Sequence, residues 1–223
     1  MAAVPFCLSG GKLVPQVTAI KAQQRRRDRA NIYLDGEYAF SLQKVLAIQL
    51  ALGQMLTPQE IATLQAQDVA ERAYERTLRY LTYRPRSEQE VQRYLERKSV
   101  EPDVIAQVLQ RLKRARLLDD AAFAEFWVEN REAFRPRGAW ALRGELRQKG
   151  VASEVIEDAV SDLDEEASAM RAGEQATRRY ARLDRETFFR RMLGYLQRRG
   201  FGYGISRQVA EHCWAQLQAD IDE

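Results

Sequence analysis

Tyr94–Leu109 reads YLERKSVEPDVIAQVL, and Glu145–Val160 reads ELRQKGVASEVIEDAV; laid over each other they keep a constant offset of 51 residues. Leu95 falls on Leu146, Lys98 on Lys149, Val100 on Val151, Val104 on Val155 and Ile105 on Ile156. The same shift carries Arg84-Pro85-Arg86 onto Arg135-Pro136-Arg137. A shared unit of this length is a supersecondary module, and stacked modules make a surface more readily than a single catalytic pocket. A weaker third copy follows, with Leu196-Gln197-Arg198-Arg199-Gly200-Phe201 lying 50 residues after Leu146–Val151.

Working outward, each copy reads as three helices. In the first, Ala70, Ala73, Tyr74, Thr77, Leu78 and Leu81 recur at helical spacing over about 69–83. Arg84-Pro85-Arg86 breaks that helix, because the residue before proline is pushed out of the α region. Ser87 and Glu90 form a capping-box pattern for the second helix, and Val104 to Leu112 mark the third. The second copy opens at Leu118-Asp119-Asp120, where Asp119 can cap and Leu118 with Phe123 can staple a helix carrying Phe123, Phe126 and Trp127. Asp68 stands 51 residues earlier, before the corresponding helix of the first copy. Trp127 is read as core. Gly150 suits the left-handed position that ends the helix over 138–149, and Ser153 to about Leu163 forms the next. Glu165–Arg182, Asp184–Arg199 and Ile205–Leu217 are the helices of the third copy.

Ahead of the repeats the pattern changes. Val17–Ala22, Asn31–Asp35 and Glu37–Ser41 read as strands, with a tight turn at Asp35-Gly36. Leu42–Leu50 reads as a short helix, and Thr57-Pro58-Gln59-Glu60 as a capping box with proline at the first helical position. The expected fold is mainly α: elongated tandem three-helix repeats behind a small N-terminal β-hairpin or β-sheet plus helix. The expected division is a flexible 1–16, a β/α unit over 17–66, and repeats over 67–117, 118–164 and 165–223.

Composition narrows the function. The chain has 223 residues, 45% hydrophobic and 30% charged, with a formal charge of +3. It is no bulk polycation, but its Lys and Arg are clustered, and the pattern of charge carries more than the total. Two cysteines at opposite ends, Cys7 and Cys213, suggest free thiols in a reducing compartment. No apolar run approaches the roughly 18 residues of a membrane span, and the start lacks a signal-peptide pattern. A cytoplasmic protein is expected, with no membrane partner.

Catalytic signals are missing. One histidine, His212, and two distant cysteines offer neither a base with a partner nor zinc spacing. Gly200-Phe201-Gly202-Tyr203-Gly204 follows no strand and reads as an inter-helix connection. The acids Asp162, Asp164, Glu165 and Glu166 suit a helix N-terminus. The chain is therefore expected to be no enzyme, with no cofactor and no metal. Its better lead is basic. Arg84, Arg86, Arg135 and Arg137 recur at equivalent turns, where packing duty is small, and guanidinium forks suit carboxylates or phosphates. Lys98, Lys149, Arg143, Arg147 and the cluster Arg25, Arg26 and Arg27 complete the candidate partner-binding set.

Three stretches carry a resemblance. L-x-Y-R-P-R-S-E-x-E-V-x-x-Y-L at Leu81–Leu95, L-L-D-D-x-x-F-A-x-x-W-V-x-x-R at Leu117–Arg131 and E-L-R-Q-K-G-V at Glu145–Val151 resemble the signatures of the RecX regulatory protein family. D-G-E-Y-A-F-S-L at Asp35–Leu42 is similar to the β-containing N-terminal extension of a subset of it. Ser99 departs from the pattern, standing where a glycine is common. The resemblance implies a non-enzymatic protein that binds RecA and RecA–DNA filaments. It implies modulation, mostly inhibition, of recombinase, ATPase and co-protease activity, affecting DNA repair and the SOS response. The basic turns are then contacts to RecA or DNA, on a protein expected to be a monomer. The alternative is direct binding of single- or double-stranded DNA by helix-turn-helix-like modules.

Overall fold

The computed structural model describes residues 14–26 and 28–222. Cys7 and Arg27 lie outside the described residues, and Cys213 is a buried free thiol whose pKa burial pushes up.

Strands β1 (Val17–Ala22), β2 (Arg29–Leu34) and β3 (Glu37–Gln43) form one antiparallel sheet in the order β1-β2-β3. Asp35 (φ 48°) and Gly36 (φ 90°) make the tight turn, both in the left-handed region that such a hairpin requires. Register pairs Ile20 with Ile32 and Ile32 with Phe40, and Val17, Ile32, Leu34 and Leu42 form the buried centre with Leu56. Of the leading residues expected to be flexible, 14–16 are described and tied down. The Leu56 N–H donates to the Pro15 carbonyl at 2.9 Å, and Gln16 pairs with Met55. The short helix is one turn, α1 (Lys44–Ala47).

Helix α2 (Pro58–Leu81) begins at the capping box read from sequence, with Thr57 and Glu60 satisfying each other's backbone N–H. It does not stop near Asp68. Gln65 to Asp68 contains no residue that breaks a helix, so α2 runs 24 residues without interruption. Asp68, matched from sequence with the helix-capping Asp119, is instead buried within α2. It takes Arg29 at 3.1 Å and the backbone N–H of Gln43 at 2.6 Å, which fastens the sheet to the helix.

Helices α3 (Glu88–Glu96) and α4 (Pro102–Arg114) complete the first three-helix repeat. Helices α5 (Asp120–Phe134), α6 (Ala139–Gln148) and α7 (Ser153–Val160) form the second, around Phe123, Leu142, Leu146 and Ile156. Helices α8 (Glu165–Tyr180), α9 (Arg185–Arg198) and α10 (Tyr203–Asp222) form the third, around Phe188, Met192, Leu196 and Ala210. Asp119, Asp164 and Asp184 cap α5, α8 and α9 as their residue types predict. The chain resolves into two compact units, residues 1–83 with 95–111 and residues 84–94 with 112–223, so the division passes through α3 and α4.

Candidate functional site

The Arg-Pro-Arg turns do more packing than their exposed character in sequence suggests. In the second unit, Ser87 Oγ donates to the Lys149 carbonyl at 2.6 Å, and Gln89 lies where a Cβ on Gly150 would stand. One repeat later the Gly138 N–H donates to the Arg199 carbonyl at 3.0 Å. Arg199 Nη1 returns a bond to the Pro136 carbonyl at 3.0 Å, and Gly200 packs on Ala141. Each turn thus seats on the glycine-ended helix of the following repeat. Gly150 (φ 79°) and Gly200 (φ 91°) are needed twice, for a left-handed backbone and for the missing Cβ. Ser99 (φ 55°) occupies the matching position of the first repeat, and its side chain is exposed.

Arg84 does not reach outward. Its two terminal nitrogens hold Glu90 at 2.8 and 3.0 Å, and Lys149 Nζ takes the same carboxylate at 2.6 Å. The capping-box pattern aims Glu90 at the Ser87 N–H, but the cations claim it. Burial pushes the Glu90 carboxyl up, yet hydrogen bonds from Arg84 and Lys149 outweigh it and hold the group at about 2. Trp127 lies among these charges, half-buried beside the core residue Phe123 rather than enclosed with it. Arg131 stands 4.5 Å from its ring centre, Lys149 4.7 Å and Arg84 5.9 Å, within cation–π range. Its indole N–H donates to Glu145 at 2.7 Å, and Glu145 also takes Arg131 at 2.7 Å and Arg137 at 2.8 Å. Four cations, two carboxylates and one indole therefore make a single closed network. Its chemistry is cohesive.

Asp120 adds to that bracing. It accepts the Glu88 N–H at 2.8 Å, and burial pushes its pKa upward against that bond.

The remaining sequence candidates stand outside that network. Arg143 is taken by Glu157 at 2.8 Å, which raises its pKa. Arg86 is half-buried. Arg147 is exposed, as are Lys98, Arg25 and Arg26 in the first unit. Arg135 is exposed at the C-cap of α5, and its side chain has no ion pair or hydrogen bond among the described residues. On either side of it in the sequence, Phe134 is 72% exposed and Trp140 is 75% exposed. The arginine follows from the repeat; the two aromatics were missed, although both stand within five residues of it in the sequence.

A second group missed from sequence lies on α2. Arg72, Arg76 and Arg79 follow the i, i+4, i+7 spacing of one helix face, opposite the apolar positions already legible there. No side-chain partner meets any of the three among the described residues. Arg26 joins Arg72, Arg76 and Arg79 around one cavity of about 300 Å³. Among the described residues no group of three His, Cys, Asp or Glu is placed to hold a metal, and no helix is long and apolar enough to cross a membrane.

The class that results is a mainly helical protein of tandem three-helix domains behind a small sheet, its turns packing repeat onto repeat. Four family descriptions match in that order. They are the regulatory protein RecX N-terminal domain over 15–55 and the first, second and third RecX three-helix domains over 73–112, 119–160 and 164–210. The regulatory protein RecX of Bacillus subtilis is 32% identical over 215 residues, covering 94% of this chain and 80% of its own. That of Listeria monocytogenes is 27% identical over 207 residues, covering 91% and 77%. A crystal structure of regulatory protein RecX superimposes with a TM-score of 0.71 at 28% identity, covering 88% of this chain and 99% of that one. RecX from Lactobacillus salivarius, at 23% identity and a TM-score of 0.56 over 66% of this chain and 97% of that one, shares the fold. The chain belongs to the RecX regulatory protein family.

Proposed function

We propose that this protein is a non-enzymatic regulator of RecA, acting in the cytoplasm as a monomer on RecA and RecA–DNA filaments. It inhibits ATP hydrolysis, strand exchange and co-protease activity, and so restrains DNA repair by recombination and the SOS response. Family membership supports the regulatory role. The observation that carries the contact is Arg135, exposed and unpaired, with the exposed aromatics Phe134 and Trp140 on either side of it in the sequence. Arginine and tryptophan are the residue types that dominate binding energy at protein interfaces, and exposed aromatics with no packing duty mark such surfaces.

The test is RecA's DNA-dependent ATPase rate with increasing amounts of this protein. Arg135→Glu and Trp140→Ala are expected to raise the concentration needed for half-inhibition about ten-fold or more each, with helical content unchanged. Arg143→Gln, which opens a surface ion pair away from the turn, is expected to leave it within about two-fold. Unchanged inhibition by both turn variants removes this surface from the reading.

A further inference from the structure

We propose that the cavity beside α2 is a binding site for the phosphate backbone of nucleic acid, separate from the turn at Arg135 and independent of how that turn is used. Four guanidinium groups open onto it, Arg26 from the β1–β2 connection and Arg72, Arg76 and Arg79 from one face of α2. Two carboxylates also face it. Asp28 is exposed, and Glu75 is engaged by Gln43 Nε2 at 2.7 Å. Arg29 closes the floor as a buried, neutralised group, its nitrogens on Asp68 at 3.1 and 3.3 Å and on Ser41 at 2.7 and 2.9 Å. The unpaired charge is therefore positive. The helix presents it over about 10 Å between Arg72 and Arg79, at roughly 1.5 Å per residue. Measured along the axis of a duplex, that length corresponds to about three phosphate steps of one strand at roughly 3.4 Å each.

The lining selects the class of partner. Every residue bordering the cavity is polar or charged. A protein partner needs an apolar centre to its interface, and none is offered here. No aromatic side chain lines the site, so bases have no platform and binding reads the backbone without regard to sequence. One buried atom points the same way. Gln43 Oε1 is buried and meets no hydrogen-bond donor, while the amide nitrogen of the same side chain donates to Glu75. A water giving one proton to Gln43 and the other to a phosphate oxygen satisfies both. The basic face continues beyond the cavity, because an adjoining hollow places Lys98 beside Arg72 and Arg76. Arg26 and Lys98, far apart in sequence, are thereby linked by arginines on α2.

Fluorescence anisotropy of the full chain with a labelled oligonucleotide, single-stranded and duplex, tests the site across roughly 50–200 mM salt. Replacing Arg72, Arg76 and Arg79 by Gln keeps helix propensity and removes three charges. Affinity is expected to fall about ten-fold or more, and the slope of log K against log salt to become shallower by about 2–3. A matched variant, Arg178→Gln, Arg179→Gln, Arg182→Gln, removes the same charge elsewhere and is expected to keep the parent slope within about one unit. Equal losses in the two variants, or an unchanged slope in the first, overturn the site. So does displacement of the oligonucleotide by polyglutamate as readily as by unlabelled DNA, which would assign the cavity to an acidic protein. Arg135→Glu in the same titration is expected to bind within about two-fold of the parent, so failure here is distinguishable from failure of the RecA reading.

Discussion

Arg84-Pro85-Arg86 and Arg135-Pro136-Arg137 share a triplet and a docking contact, yet they present opposite chemistry. Both turns seat on the end of a helix in the following repeat, through Ser87 on Lys149 and Gly138 on Arg199. The first is closed by Glu90, which holds Arg84 in a two-pronged ion pair. The equivalent position 51 residues on is Ala141, which carries no carboxylate and packs against Gly200. With no acid beside it, Arg135 stays exposed. The lesson is physical. Repetition preserves the seat, a backbone carbonyl beside the glycine that ends a helix, while the groups that meet it and the side chains around it are free to lock one copy and open the next.

The docking contact can be broken first. Gly200→Ala forces a side chain into the left-handed region and against the Ala141 backbone, and is expected to destabilise the protein by about 2–4 kcal/mol. Gly150→Ala brings a Cβ to about 2.5 Å from Gln89 Cβ, which is fixed to its own backbone, and should likewise lose about 2–4 kcal/mol. Urea denaturation midpoints measure both, and a loss of no more than about 1 kcal/mol in either, the cost of the left-handed backbone alone, would contradict the docking contact at that glycine. Next comes the lock. Glu90→Gln leaves Arg84 and Lys149 without their carboxylate and should destabilise by about 2 kcal/mol.

The pH dependence carries the same signature. Glu90 titrates at about 2 in the folded chain against an ordinary 4.5, so its contribution is whole above pH 4.5 and is lost as pH falls towards 2. Stability measured against pH should therefore be flatter over that window in Glu90→Gln than in the parent. Smaller again is the pair of arginines themselves. Arg84→Ala is expected to lower stability by about 1–2 kcal/mol and Arg135→Ala by less than about 0.5 kcal/mol, on the same denaturation curves. The smallest effect sharpens the end of the series. Ser99→Gly relieves a left-handed backbone where a Cβ is tolerated, and should stabilise by about 0.5 kcal/mol.

Much of this architecture is legible without coordinates because its signals are local. Apolar spacing, Asp119 and Asp184 before their helices, and glycine at positions 150 and 200 each act within a few residues. One local reading nevertheless failed for a non-local reason. Asp68 looks like a cap in sequence, but Arg29, 39 residues away, draws it into the interior. Trp127, read as core beside Phe123, does pack against that core, at its edge, with Arg84 and Lys149 over its ring. The arginines on α2 illustrate the opposite case. Their spacing was readable, yet nothing in it favoured them over other exposed basic residues until Arg26 was seen to share their cavity.

By itself the sequence determined the repeat, the helix ends, the small sheet and the family, since each rests on hydrogen bonds and apolar periods spanning a few residues. Tertiary structure alone decided which basic residues are spent and which are available. That question turns on whether a carboxylate arrives from 59 residues away, as Glu90 does for Lys149, or none stands within reach, as at Arg135, where Ala141 takes the place equivalent to Glu90.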